Sequence, residues 1–132
     1  MSAERRLGFL QLCAERRFHR AVMQAFEQAA GLAPDDYWIE ARAGGAPSWA
    51  DNTRTARFAA RGGATVMGWS AHGERCLGFP GEGDASIRAR LERTAQKRAE
   101  EFPRCLHLAL FALADGVQVT PVGRPLSDLK RK

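Results

Sequence analysis

At 132 residues the chain has the length of one domain, enough to bury roughly two thirds of its unfolded surface without disulfide staples. Its cysteines, an odd and widely spaced set of three behind an opening MSAERR that lacks an apolar core, give the expectation of a reducing cytoplasm, and no apolar run approaches the ~20 residues of a membrane-spanning helix. The net charge of +5 is spread among glutamates on predicted helix faces, with one basic cluster at Leu129-Lys130-Arg131-Lys132, a pattern that suits a solvated surface and argues against nucleic acid as a partner.

Residues 7–13 are apolar at Leu7, Phe9, Leu10 and Leu12, with Gly8 the only small interruption, and predict a buried strand that ends at Cys13. Open α/β sheets bind ligands at the carboxyl ends of their strands, so Cys13, Glu15 and Arg17 read as half of a site. Phe18, Ala21, Val22, Ala25, Phe26, Ala29 and Ala30 then draw one apolar stripe along a helix. Gly31 and Pro34 stop it in the usual order.

Residues 37–43 carry aromatic and β-branched side chains and predict a second strand running into Gly44-Gly45. Ser48 and Asp51 are spaced as a capping box, and the alanine-rich stretch 50–61 predicts a helix closed by Gly62-Gly63. Residues 64–70 predict a third buried strand that delivers His72 and Cys76 into the loop 72–83, whose glycines let it fold closely around a ligand. Asp84 or Ser86 can cap the next helix, with Ile87, Leu91, Ala95 and Phe102 as its buried stripe and Arg88, Arg90 and Arg98 among its charged faces. Residues 106–113 predict a fourth apolar strand, and Asp115-Gly116 turns the chain into an antiparallel edge strand at 117–122.

This alternation predicts an α/β fold: a mainly parallel four-stranded sheet with helices on both faces and an antiparallel edge strand. One domain would cover residues 1–123, followed by a basic tail at 124–132. In such a sheet the loops after the first and third strands emerge at the same end, which brings Cys13 to His72 and Cys76. Two thiolates and an imidazole form a borderline-soft set that suits zinc and leaves a fourth position open. Plainer readings stand beside this one: Cys13 as a small buried hydrophobe, and Arg17 as a solvated helix-start residue, although arginine there opposes the helix dipole unless paired with an acid. Cys105 and His107 read as packing residues. His19 reads as a surface or capping group that could otherwise shuttle protons. Trp38 and Trp69 read as core or interface, and Trp49 as the tryptophan nearest a pocket or dimer contact.

The segment Cys13-Ala14-Glu15-Arg16-Arg17 resembles the C-x-D-x-R segment of β-class carbonic anhydrases. Ala43-Gly44-Gly45 resembles their A-G-G loop after the second strand, and the segment from His72 to Cys76 their H-x-x-C segment. Order and placement agree over residues 7–120, most closely with compact members of the family. The resemblance implies a β-carbonic anhydrase-like fold and a zinc cofactor held by Cys13, His72 and Cys76, with Glu15 and Arg17 as the catalytic pair. It further implies substrate binding by backbone N–H groups near Gly44 and Gly45, and reversible hydration of carbon dioxide to bicarbonate by zinc-bound hydroxide. The family's usual homodimer would then use the Tyr37-Trp38 edge. Two departures stand out: Glu15 replaces an aspartate, and three residues rather than two separate His72 from Cys76. Either Gly73 absorbs the extra residue as a bulge or one ligand is lost. The same resemblance accommodates a catalytically inactive or regulatory zinc-binding protein, and a hydrolase of a related small substrate such as carbonyl sulfide.

Overall fold

A computed structural model describes residues 6–49 and 53–123. In chain order it contains β1 (Gly8–Cys13), a 3-10 turn (Arg16–Phe18), α1 (His19–Ala30), β2 (Tyr37–Arg42), a second 3-10 turn (Ala46–Trp49), α2 (Arg54–Arg61), β3 (Val66–His72), α3 (Asp84–Glu101), β4 (Leu106–Leu113) and β5 (Gly116–Val122). The five strands form one mixed sheet in the order β2-β1-β3-β4-β5. β1 pairs in parallel with β2 and β3, β3 in parallel with β4, and β4 antiparallel with β5.

The central strands are apolar on both faces because both faces are covered, and the period of two assigns alternate residues to opposite layers. Phe9, Met67, Trp69 and Phe111 point to one layer, which Ile87, Leu91 and Ala95 of α3 and Ala56 and Ala59 of α2 complete. Leu10, Leu12, Leu108 and Leu110 point to the other, where Val22, Phe26 and Ala30 of α1 close over them. α1 ends as predicted: Gly31 takes a left-handed φ of 69° and its N–H donates to the Glu27 carbonyl.

Several predicted details differ. β3 runs on to His72, because Ser70, Ala71 and His72 continue the ladder opposite Leu110, Phe111 and Ala112 of β4; His72 is therefore the last residue of a strand and not part of a loop. α3 starts from Gly83 with no side-chain cap: the Ser86 hydroxyl donates to Glu82 and Asp84 serves another segment. Arg98 is buried, not solvated. Its guanidinium lies 5.9 Å over the Trp69 ring and pairs with Glu101 at 2.5 Å, so its stem covers apolar surface while its head keeps a counter-charge. Tyr37 turns inward and donates its hydroxyl to Glu27 at 2.7 Å, leaving Ile39 as the exposed apolar side chain of the β2 edge. The Ser48–Asp51 box, the predicted helix start at Ala50, the Trp49 side chain and the tail at 124–132 lie outside the described residues. No helix among the described residues is long and apolar enough to cross a membrane.

Candidate metal centre

The parallel register ends β1 on Cys13 beside Arg42 of β2, and ends β3 on His72 at the same edge. The turn that follows β3 folds Cys76 back against them. Cys13, His72 and Cys76 are 6%, 2% and 3% exposed, and their ligand atoms all lie within 4.8 Å of one another. The two sulfurs are 3.8 Å apart.

The extra residue of the His72–Cys76 segment is absorbed, but not by Gly73. Gly73 keeps its N–H in the β4 ladder, donating to the Ala112 carbonyl at 2.9 Å. Glu74 and Arg75 instead adopt left-handed φ values of 57° and 69°, a conformation that costs side-chain-bearing residues roughly 1–2 kcal/mol each. Tertiary hydrogen bonds hold it. The Arg17 guanidinium donates to the Glu74 carbonyl at 3.0 Å and the Arg75 carbonyl at 2.8 Å. The Glu74 N–H donates to Asp84 at 2.8 Å, and the Glu74 carboxylate accepts the Ala114 N–H. His72 and Cys76 thereby both stay in ligand range.

Arg17 also pairs with Glu15, and that guanidinium holds the Glu15 carboxyl below its ordinary range. The other Glu15 oxygen, Oε2, lies 3.1 Å from His72 Nε2. The pair is close yet misaligned for a hydrogen bond, and both atoms are buried without a partner. His72 Nδ1 contacts the Gly73 carbonyl at 2.8 Å; a carbonyl only accepts, so Nδ1 carries the proton and a neutral ring turns the Nε2 lone pair toward the carboxylate. Two acceptors facing each other in a buried site call for a proton or a cation between them.

The thiols respond to the same environment in opposite directions. Burial raises the Cys13 pKa, but His72 and the N–H groups of Glu15 and Gly44 outweigh it and bring the thiol down from 9.0 to about 7. Burial also raises Cys76, the Gly78 N–H offsets part of this, and the negative charge of Cys13 adds to it, leaving Cys76 at about 11. Burial lowers His72, yet the neighbouring Cys13 sulfur, the Gly73 carbonyl and the Glu15 carboxylate raise it on balance. Two sulfurs and an imidazole nitrogen, with an outer-shell carbonyl fixing the tautomer, are the donors a zinc ion takes. A divalent cation bound here would displace the protons its ligands carry.

Gly44 and Gly45 border the centre with φ values of 82° and 69°. A Cβ on Gly45 would stand 2.3 Å from the Ser70 carbonyl, and one on Gly78 would stand 2.4 Å from the Gly44 Cα, so three backbone segments meet here more closely than side chains permit. The Gly45 N–H donates to the Arg42 carbonyl at 2.9 Å and the Gly44 N–H faces the Cys13 sulfur; both amides are engaged within the protein. His19 contacts the Cys13 carbonyl at 2.5 Å, a capping role at the end of β1. A cavity of about 10 Å³, room for about one water, lies between His19, Phe18, Val22 and the Cys13, Glu15 and His72 side chains.

Cys105 and His107 are packing residues at the far edge and centre of the sheet. Cys105 donates to the Ala64 carbonyl. His107 accepts from the Trp69 indole and contacts the Phe102 carbonyl, and burial lowers its pKa. Sequence reading missed Asp84 and Glu74, whose use depends on a fold-dependent turn, and Phe18, whose ring packs 5.1 Å from that of His72. Comparison with protein-family models, curated proteins and solved structures found no match to this chain.

Proposed function

We propose that the chain is a zinc-dependent, carbonic anhydrase-like lyase that hydrates carbon dioxide reversibly to bicarbonate. The observation that carries this reading is the buried Cys13, His72 and Cys76 set, with Glu15 Oε2 3.1 Å from His72 Nε2 beside it. When bound, zinc supplies the acidity that makes hydroxide available near neutral pH. The chain's own residues would do the rest. Arg17 keeps Glu15 ionised and oriented, and Glu15 offers Oε2 as an acceptor for a water at the centre. Leu12, Phe18 and Val22 give the adjoining water-sized cavity apolar walls. Gly44 and Gly45 would act through the tight shape of their loop. A β-carbonic anhydrase-like topology and a homodimer joined along the β2 edge belong to the same proposal.

One observation favours a second reading, a zinc protein without turnover. Glu15 Oε2 stands 3.1 Å from His72 Nε2, so the carboxylate lies against one of the three residues that would hold the ion, and a glutamate reaches further than an aspartate from the same backbone position. Stopped-flow measurement on zinc-loaded protein separates the two. The lyase reading expects zinc-dependent hydration that disappears in Cys13→Ser. Zinc-loaded protein no faster than buffer would overturn it in favour of the second.

A further inference from the structure

We propose that Asp84 is a positioning residue for the metal centre, holding the turn that carries Cys76 so that the second sulfur stays in ligand range. Its consequence for metal binding rests on the zinc reading above; its hold on the turn does not. Asp84 opens α3, where an acidic side chain ordinarily serves its own helix, but the N-cap is Gly83 and no side chain caps the helix. The carboxylate instead accepts the Glu74 N–H at 2.8 Å. It also packs on the turn: a Cβ built on Gly73 would meet Asp84 Cγ and Oδ1, both at 2.6 Å, and Leu113 Cδ2 at 2.7 Å, so a larger residue there would displace this side chain.

Glu74 is thus tied from three elements at once. Asp84 of α3 takes its N–H, Arg17 after β1 takes its carbonyl, and the Ala114 N–H after β4 takes its carboxylate. These ties hold the left-handed φ of 57°, and Cys76 lies two residues on. Cys13 and His72 are fixed by strands, so losing the Asp84 tie moves one ligand of the three. Asp84 is exposed, so water can replace it in part, and Arg17 remains. The expected loss in metal affinity is therefore about tenfold, the low end of the 10–100-fold typical of outer-shell partners.

The test compares wild type, Asp84→Ala and Asp84→Asn, first metal-free and reduced, then with cobalt(II). Maleimide labelling is mapped by mass spectrometry, with buried Cys105 at the far edge of the sheet as the internal control for global unfolding. Asp84→Ala is expected to raise the Cys76 rate about tenfold relative to Cys105 through local opening of the turn. Asp84→Asn, which keeps an oxygen acceptor, should leave the ratio near wild type. Cobalt should then bind Asp84→Ala about tenfold more weakly, with a diminished thiolate-to-cobalt charge-transfer band. An unchanged Cys76 to Cys105 ratio, or a rise common to both cysteines, overturns the proposal. A raised ratio in Asp84→Ala in a protein whose wild type binds no cobalt supports the hold on the turn and overturns the zinc reading instead.

Discussion

Cys13 and Cys76 face each other across 3.8 Å with acidities displaced in opposite directions, to about 7 and about 11. In metal-free protein, alkylation of Cys13 should therefore rise through a midpoint of about 7, and Cys76 should stay protonated until far higher pH. Because the folded state lowers the Cys13 pKa from 9.0, its contribution to stability is fully present above that unfolded value and is lost as pH falls through about 7. Both thiols titrating together near 9.0 would contradict the geometry. At this scale the members of the cluster were legible: a strand ending in a thiol, and a histidine and cysteine at the end of another strand and just beyond it. Their acid–base division was not, because it depends on which backbone N–H groups face each sulfur.

The elements were legible wherever one period ran uninterrupted. The stripe Val22, Phe26 and Ala30 is the buried face of α1, and Ile87, Leu91 and Ala95 lie on that of α3. The turn between β3 and α3 was not, for a physical reason. Sequence rules assign positive φ to glycine, whereas here Glu74 and Arg75 take it, held by hydrogen bonds donated by Arg17 and accepted by Asp84, residues distant in the chain. Arg98 was misassigned for a similar reason, since its burial depends on the Trp69 ring beneath it. The close approach at the glycine loop gives a stability test. Gly45→Ala combines a φ of +69° with a Cβ 2.3 Å from the Ser70 carbonyl and should cost at least ~2 kcal/mol in urea denaturation. Gly81→Ala, with a φ of +82° but no atom within 4 Å, should cost only about 1 kcal/mol. Equal losses would show that the apposition of the Gly45 loop to β3 carries no stability.

At the scale of the molecule, parallel pairing of β1 with both β2 and β3 is what turns two distant motifs into one centre. Helix-length crossovers announced that pairing in the sequence, so the meeting of Cys13 with His72 and Cys76 was legible before any side chain was placed. A centre formed only in the folded chain also links metal to folding. Zinc in excess should raise thermal stability in proportion to RT ln(1 + [Zn]/Kd), about 4 kcal/mol at a thousandfold excess over Kd, and Cys13→Ser should lose that increment while remaining folded. Elemental analysis of protein purified under reducing conditions without chelator should find about one zinc per chain, the complement of a single Cys2His set, and none in Cys13→Ser; folded wild-type protein without stoichiometric zinc would contradict it.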